Sequence, residues 1–342
     1  MMGSQGLNGS GDGWSRRRWL QAAGAAGVAG AAGVAGSGVL AAQPLRDVKL
    51  SWGAGAVCLA PIPVAIERGI FARHGLKAEL VNFTGSTDQL LELLATGKAD
   101  VGVGLIHRWI KPLESGLDVK LIGSSHGGCV RLLGYAPAGI DAVRKLKGRT
   151  IAVTDLNSPG KNFFSILLAK SGIDPVRDVD WRVFPGDMLG LALEKGEAHA
   201  IADHDPNLFL IQQRTKGLVE LATNMSGEYA DKTCCVLGAG SRLVRSDKPL
   251  LASLVRAILE ASDFVAENPK ETAKIFEAYA VKVTPEQVRT MLSTMDHKVH
   301  PTGLALRRQV EFYANDFKLV GVLKPTTNAA RFAEHVTVDV LS

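Results

Sequence analysis

The side chains best equipped for chemistry in this chain are sulfurs and imidazoles. They lie in the turn His126-Gly127-Gly128-Cys129-Val130-Arg131 and the adjacent pair Cys234-Cys235, with Cys58 the fourth cysteine. Three readings stay open for them: inert buried thiols, a disulfide, or a soft-metal or thiol-reactive site with His126 as nitrogen ligand. No CxxC spacing occurs, so a structural zinc site is not suggested. Cys234 and Cys235 are poor partners for each other, because the eight-membered ring is strained; each could pair with Cys129 or Cys58. His107, His126 and His204 each follow an apolar stretch that reads as a strand, which puts them at strand ends. His204 stands between Asp203 and Asp205, where a carboxylate could orient its ring. A second group carries hydroxyls and an amide at helix starts: Ser86 and Thr87 in one, Asn157 and Ser158 in another. They serve as plain N-caps or as two halves of an anion clamp. Lys161, Arg108 and Arg131 could add charge but read as solvated surface residues.

These residues are positioned by alternating strands and helices. Strands are expected at Val48–Trp52, Leu76–Phe83, Asp100–Gly104, Val119–Gly123 and Val130–Tyr135, then at Thr150–Val153, Trp181–Phe184 and Ala198–Ala202. Helices of 10–15 residues between them argue for parallel sheets in an α/β fold. From Pro249 to Leu341 the pattern turns helical, with Pro near the first turn of several segments. Two stretches share a strand, helix, Gly-x-Ala-x turn and strand, one through Gly97-Lys98-Ala99-Asp100 and one through Gly196-Glu197-Ala198-His199. Two lobes of similar build follow from that.

The amino-terminal 42 residues read as something else. Ser15-Arg16-Arg17-Arg18-Trp19-Leu20 precedes a charge-free Ala/Gly run that ends in Val39-Leu40-Ala41-Ala42. A twin arginine, a weakly apolar segment and small residues before a cut make a twin-arginine export signal. Residues 21–42 are long enough to span a bilayer, but six glycines and no aromatic make a poor span. Without the signal the net charge falls from +5 to +3. That is too mild for nucleic acid, and no basic run interleaved with aromatics appears. About 300 remaining residues suit two domains.

Arg68-Gly69-Ile70-Phe71-Ala72-Arg73-His74-Gly75-Leu76, Gly85-Ser86-Thr87-Asp88-Gln89-Leu90 and Thr96-Gly97-Lys98-Ala99-Asp100-Val101-Gly102 occur in that order. Lys145–Val153 and Leu193–Ile201 follow them. Over residues 48–280 this set resembles the nitrate/sulfonate/taurine group of periplasmic binding proteins, and within it a subgroup with a His-x-Gly-Cys turn and a Cys-Cys pair. The resemblance implies a type II two-lobed fold, with two parallel or mixed sheets joined by two crossing strands and a helical C-terminal region. Residues 46–138 and 237–342 would form lobe one and 139–236 lobe two, the chain crossing near Tyr135–Ala142 and returning near Thr233–Gly240. It implies a cleft ligand met by Ser86, Thr87, His107, His126, Cys129, Asn157, Ser158, His204, Cys234 and Cys235.

The function so implied is non-catalytic: a periplasmic, monomeric receptor that hands a small anionic or polar solute to an ABC permease and its ATPase. Nitrate, a sulfonate or an organic acid is the expected class, with no cofactor. The alternatives are a soft-metal receptor using the Cys/His set, a sensor partner, or an enzyme. The same fold serves a synthase of the thiamine pyrimidine, whose cysteine-rich motif only Cys234-Cys235 resembles here. No GxSxG, HExxH or Walker pattern is present.

Overall fold

The computed structural model describes residues 44–83, 87–279 and 282–342. The export segment and Ser86 lie outside these residues. Ten strands form two five-stranded mixed sheets. In the first sheet β1 (Arg46–Trp52) lies parallel to β2 (Leu76–Asn82) and β3 (Val101–Leu105). β4 (Val119–His126) closes that sheet through the antiparallel strand β10 (Cys235–Gly240), which lies between β3 and β4. In the second, β6 (Arg149–Val153) is parallel to β7 (Val179–Val183) and β8 (Ala200–His204). β5 (Val130–Tyr135) pairs antiparallel with β8 and with β9 (Leu218–Thr223).

The chain therefore leaves the first sheet at His126 and enters the second at Val130. The expected crossing at Tyr135–Ala142 is corrected by this pairing: Val130–Tyr135 belongs to the second sheet, not to the lobe formed by residues 46–138. The return runs from β9 to β10. The two crossings touch, since Cys234 N donates to the His126 carbonyl (2.8 Å) and Asn224 N, where the return begins, to that of Val130 (3.0 Å).

β3 is buried along its whole length, as strands covered on both faces must be. Gly238 in β10 allows the closest packing in the first sheet. A Cβ there would lie 2.0 Å from Trp109 Cζ3, so the indole of helix Ile106–Glu114 rests directly on the strand. The C-terminal helices wrap the first lobe. Lys248–Glu267 packs on Pro61–Glu67 and β4, and Gly303–Leu319 on Pro159–Lys170 of the other lobe and on β4. Tyr313 Oη donates to the Thr233 carbonyl (3.0 Å), and Thr233 N to Gln309 Oε1 (2.7 Å), so this last long helix holds the return crossing. No helix among the described residues is long and apolar enough to cross a membrane.

Candidate functional site

A cavity of about 770 Å³ opens where the parallel strands of both sheets end. Gly53, Phe83 and Leu105 face it from the first lobe, Thr154, Asp155 and His204 from the second, and Cys58 and Cys235 form part of its wall. Parallel sheets place ligands beyond their carboxyl edges, and this cavity occupies that position twice over.

Arg108 crosses the cavity mouth. Its helix begins directly after β3, and Arg108 lines the cavity while only 7% exposed. Nη1 donates to Asp155 Oδ1 of the second lobe (2.8 Å), and Nε to Asp88 Oδ1 of the first (2.9 Å). This corrects the expectation of a solvated arginine. Arg131 is corrected too: buried in β5, it donates through Nε to Asp205 (2.9 Å) and through Nη2 to Thr294 Oγ1 (2.8 Å), and pairs with Glu220. That network ties β5 to the C-terminal region and is not part of the lining of this cavity.

The second lobe offers His204. Its Nδ1 sits 2.8 Å from Asp203 Oδ1, and Asp203 also accepts from Asn207 Nδ2 (2.7 Å). Burial opposes charge on this imidazole, but the Asp203 carboxylate outweighs it and lifts its pKa to about 9. At neutral pH the cavity wall thus carries two cations, Arg108 and His204, each set against aspartates.

Behind the wall the four thiols converge. All are buried and free. Cys129 Sγ lies 3.3 Å from Cys234 Sγ, and Cys129 and Cys235 each interact with the three other sulfurs. Cys58 comes from the short turn Val57–Leu59, Cys129 and Cys234 from the two crossings, and Cys235 from the start of β10. Cys129 has φ 114°, the left-handed side of backbone space where a side chain is strained, and Gly128 before it has φ 85°. The turn therefore needs its glycine and holds the thiol against a backbone preference.

His126 closes the group. Its Nδ1 donates to the Gly127 carbonyl (3.2 Å). Burial disfavours a charged ring, yet Cys58 and Cys234 raise its pKa to about 9. Hydrogen bonds from Cys129 and Cys235 hold Cys58 well below the ordinary thiol range. Cys234 is also lowered: burial opposes this, but the same two sulfurs and His126 prevail. Burial pushes Cys235 up, and the S–H bond to Cys234 pushes Cys129 up. The four sulfurs and the imidazole thus titrate as one coupled group, with Cys58 and Cys234 lowered and Cys129 and Cys235 raised. His297 packs 5.3 Å from His126, delivered by the Gly127–Asp296 backbone pair, and burial drives its pKa down to about 3.

Three of the other expected residues have structural partners. His107 is buried among Phe163, Tyr313 and Phe317, away from the cavity. Ser158 Oγ accepts from Lys161 N (3.2 Å) and caps its helix, and Asn157 is exposed with its N–H on Asp155. Thr87 opens helix Thr87–Ala95. Cys58 and Asp155 lie in the loops 53–61 and 154–160, which follow strands and so belong at a cleft, but the sequence does not single them out as individual contacts, nor His297. The cysteine carries a further signal, its residue type; His297 depends on a loop folding back.

Residues 58–272 match the family model described as NMT1/THI5 like. The chain belongs to this NMT1/THI5-like family. A putative binding protein of Brucella abortus (strain 2308), BAB2_1146, is 28% identical over 216 residues, 62% of this chain and 65% of that protein. The match thus spans less than two thirds of the relative. The alkanesulfonate-binding protein SsuA from Xanthomonas axonopodis pv. citri, solved bound to MOPS, superimposes with a TM-score of 0.68 at 18% identity, covering 87% of this chain and all of that one (100%). The periplasmic nitrate-binding protein NrtA from Synechocystis PCC 6803 gives 0.70 at 15%, covering 87% of each. At such identities these likenesses speak for the fold: this NMT1/THI5-like protein has the two-lobed periplasmic binding protein architecture.

Proposed function

We propose that this NMT1/THI5-like protein captures a small anionic or polar solute between its lobes and delivers it to an ABC-type permease energised by an ATPase. The observation that carries the reading is the cavity lined from both sheets, with Arg108 reaching from one lobe to an aspartate of the other. Its volume suits a small organic or inorganic ligand. Arg108 and the raised imidazole of His204 supply positive ends for an oxyanion, and the aspartates beside them favour a ligand of low charge or one with hydrogen-bond donors as well. Nitrate, sulfonates and small organic acids form that class. The SsuA and NrtA likenesses and the family membership support it. We place the receptor in the periplasm as a monomer, exported through the twin arginine of Arg16-Arg17-Arg18.

Native mass spectrometry of the mature protein from a periplasmic extract tests this. One equivalent of a small molecule, released on denaturation and bound at least about tenfold more weakly by Arg108→Ala, is expected. Protein that carries no solute, and that no nitrate, sulfonate, carboxylate or pyrimidine stabilises against heat, overturns it.

A further inference from the structure

Capture of a polar solute makes no use of four buried sulfurs and a buried imidazole. We propose that Cys58, Cys129, Cys234, Cys235 and His126 supply, from among their five donor atoms, the three or four ligands of a site for one thiophilic d10 metal ion, Zn(II) or Cu(I), at the cavity wall. This goes beyond the receptor reading and stands or falls separately from it.

Donor spacing is the first argument. The donor atoms of Cys58, His126 and Cys129 all lie within 4.8 Å of one another, and so do those of His126, Cys234 and Cys235. A tetrahedral or trigonal ion with bonds of about 2.3 Å to sulfur and about 2.0 Å to nitrogen sets its donors about 3.5–4.0 Å apart.

The imidazole is the second. With Nδ1 committed to the Gly127 carbonyl, the other ring nitrogen, Nε2, is buried and is left to the sulfurs, the Cys58 thiol first among them. Metal-bound histidines are oriented this way, one nitrogen on a carbonyl and the other on the ion. A buried imidazole nitrogen whose neighbours are thiols has only weak partners there, and an ion supplies a strong one.

Donor chemistry is the third. Neither triad contains a carboxylate, so hard cations such as Ca²⁺ and Mg²⁺ find no oxygen ligands there, whereas sulfur and imidazole select soft and borderline ions. The backbone agrees: among the described residues, Cys129 alone of the non-glycines takes a positive φ, and that strained turn aims its sulfur at the other three. Cys58 and Cys235 border the cavity, which gives an ion its way in. Binding displaces to solvent the protons of the ligating thiols and the proton on His126 Nε2.

The competing fate is a Cys129–Cys234 disulfide, which removes two donors. The mature protein, purified from periplasm under nitrogen, is titrated with Co(II) as a spectroscopic probe, then with Zn(II) and, separately, with Cu(I) from a bathocuproine complex. One equivalent of Co(II) with thiolate charge-transfer bands, displaced by Zn(II) or Cu(I), is expected; the ion that wins identifies the metal. Cys234→Ser and His126→Gln, each verified by circular dichroism, should weaken Zn(II) at least about 100-fold. Absent charge-transfer bands in the wild type overturn the proposal without relying on any variant folding. Bands unchanged in both variants overturn it too, as does protein lighter by two hydrogens with Cys129 bridged to Cys234.

Discussion

At the scale of single residues, His107 shows how a chemical residue can be used for shape. It sits after a strand, where a cleft histidine belongs, yet its ring fills an aromatic nest with Phe163 and Tyr313, each 5.2 Å away. Neither ring nitrogen has a hydrogen-bond partner among the described residues. Burial lowers its pKa from 6.5 to about 4. Between those values the unfolded chain binds a proton that the folded ring refuses, so folding loses stability as pH falls from 6.5 toward 4. His107→Phe removes this linkage and leaves no polar atom stranded. Urea unfolding should find the variant about 1 kcal/mol more stable at pH 7.5 and about 3–4 kcal/mol more stable at pH 4.5. A constant difference across that range would show that the ring does not titrate as described. Nothing in the sequence separates His107 from His126 or His204, because which residues surround a ring depends on helices that return from 200 residues away. Arg108 and Arg131 misled for the same reason: their carboxylate partners lie in other elements.

At the scale of elements, strand and helix positions were legible because burial leaves a period in the sequence. Helices beginning at Pro269 and Pro285 start where the proline permits. Sheet membership was not legible. β5 has the same apolar character as a first-lobe strand, and only its pairing with β8 and β9 assigns it. β9, Leu218–Thr223, is a half-buried edge strand whose apolar residues follow the helix Asn207–Arg214 closely and carry no clean alternation that marks a strand of its own. That misassignment matters, because it moves the first crossing onto Gly127–Cys129, a turn with almost no freedom. A Cβ on Gly128 would lie 2.6 Å from Met225 Sδ, at a φ of 85°. Gly128→Ala combines a left-handed backbone with a clash against the return segment. It should cost about 2–3 kcal/mol and lower the melting temperature by several degrees. A shift under about 0.5 kcal/mol would mean that the crossing is pliant.

At the scale of the molecule, two lobes joined at adjacent crossings form a hinge, and the position of that hinge is set by the groups that bridge the cavity. Arg108 to Asp155 is such a bridge: it joins a helix of the first sheet to a loop of the second at 2.8 Å, with the guanidinium buried and Asp155 38% exposed by side chain. Asn162 Nδ2 adds a second link by donating to the His107 carbonyl across the same boundary (3.0 Å). A charge-assisted bond of this kind is worth about 1–2 kcal/mol in such a setting. Asp155→Ala removes it while Asp88 still neutralises Arg108, so the loss falls on closure, with no charge left stranded. The open population should rise about 5–30-fold, and small-angle scattering of the ligand-free protein should give a larger radius of gyration than wild type. Solute affinity should fall by a similar factor if closure is coupled to binding, since a ligand that needs the closed form is weakened in proportion to the fraction lost. Scattering identical to wild type, with affinity reduced, would assign Asp155 to ligand contact and leave the hinge to the Asn162 link and the packing around His107.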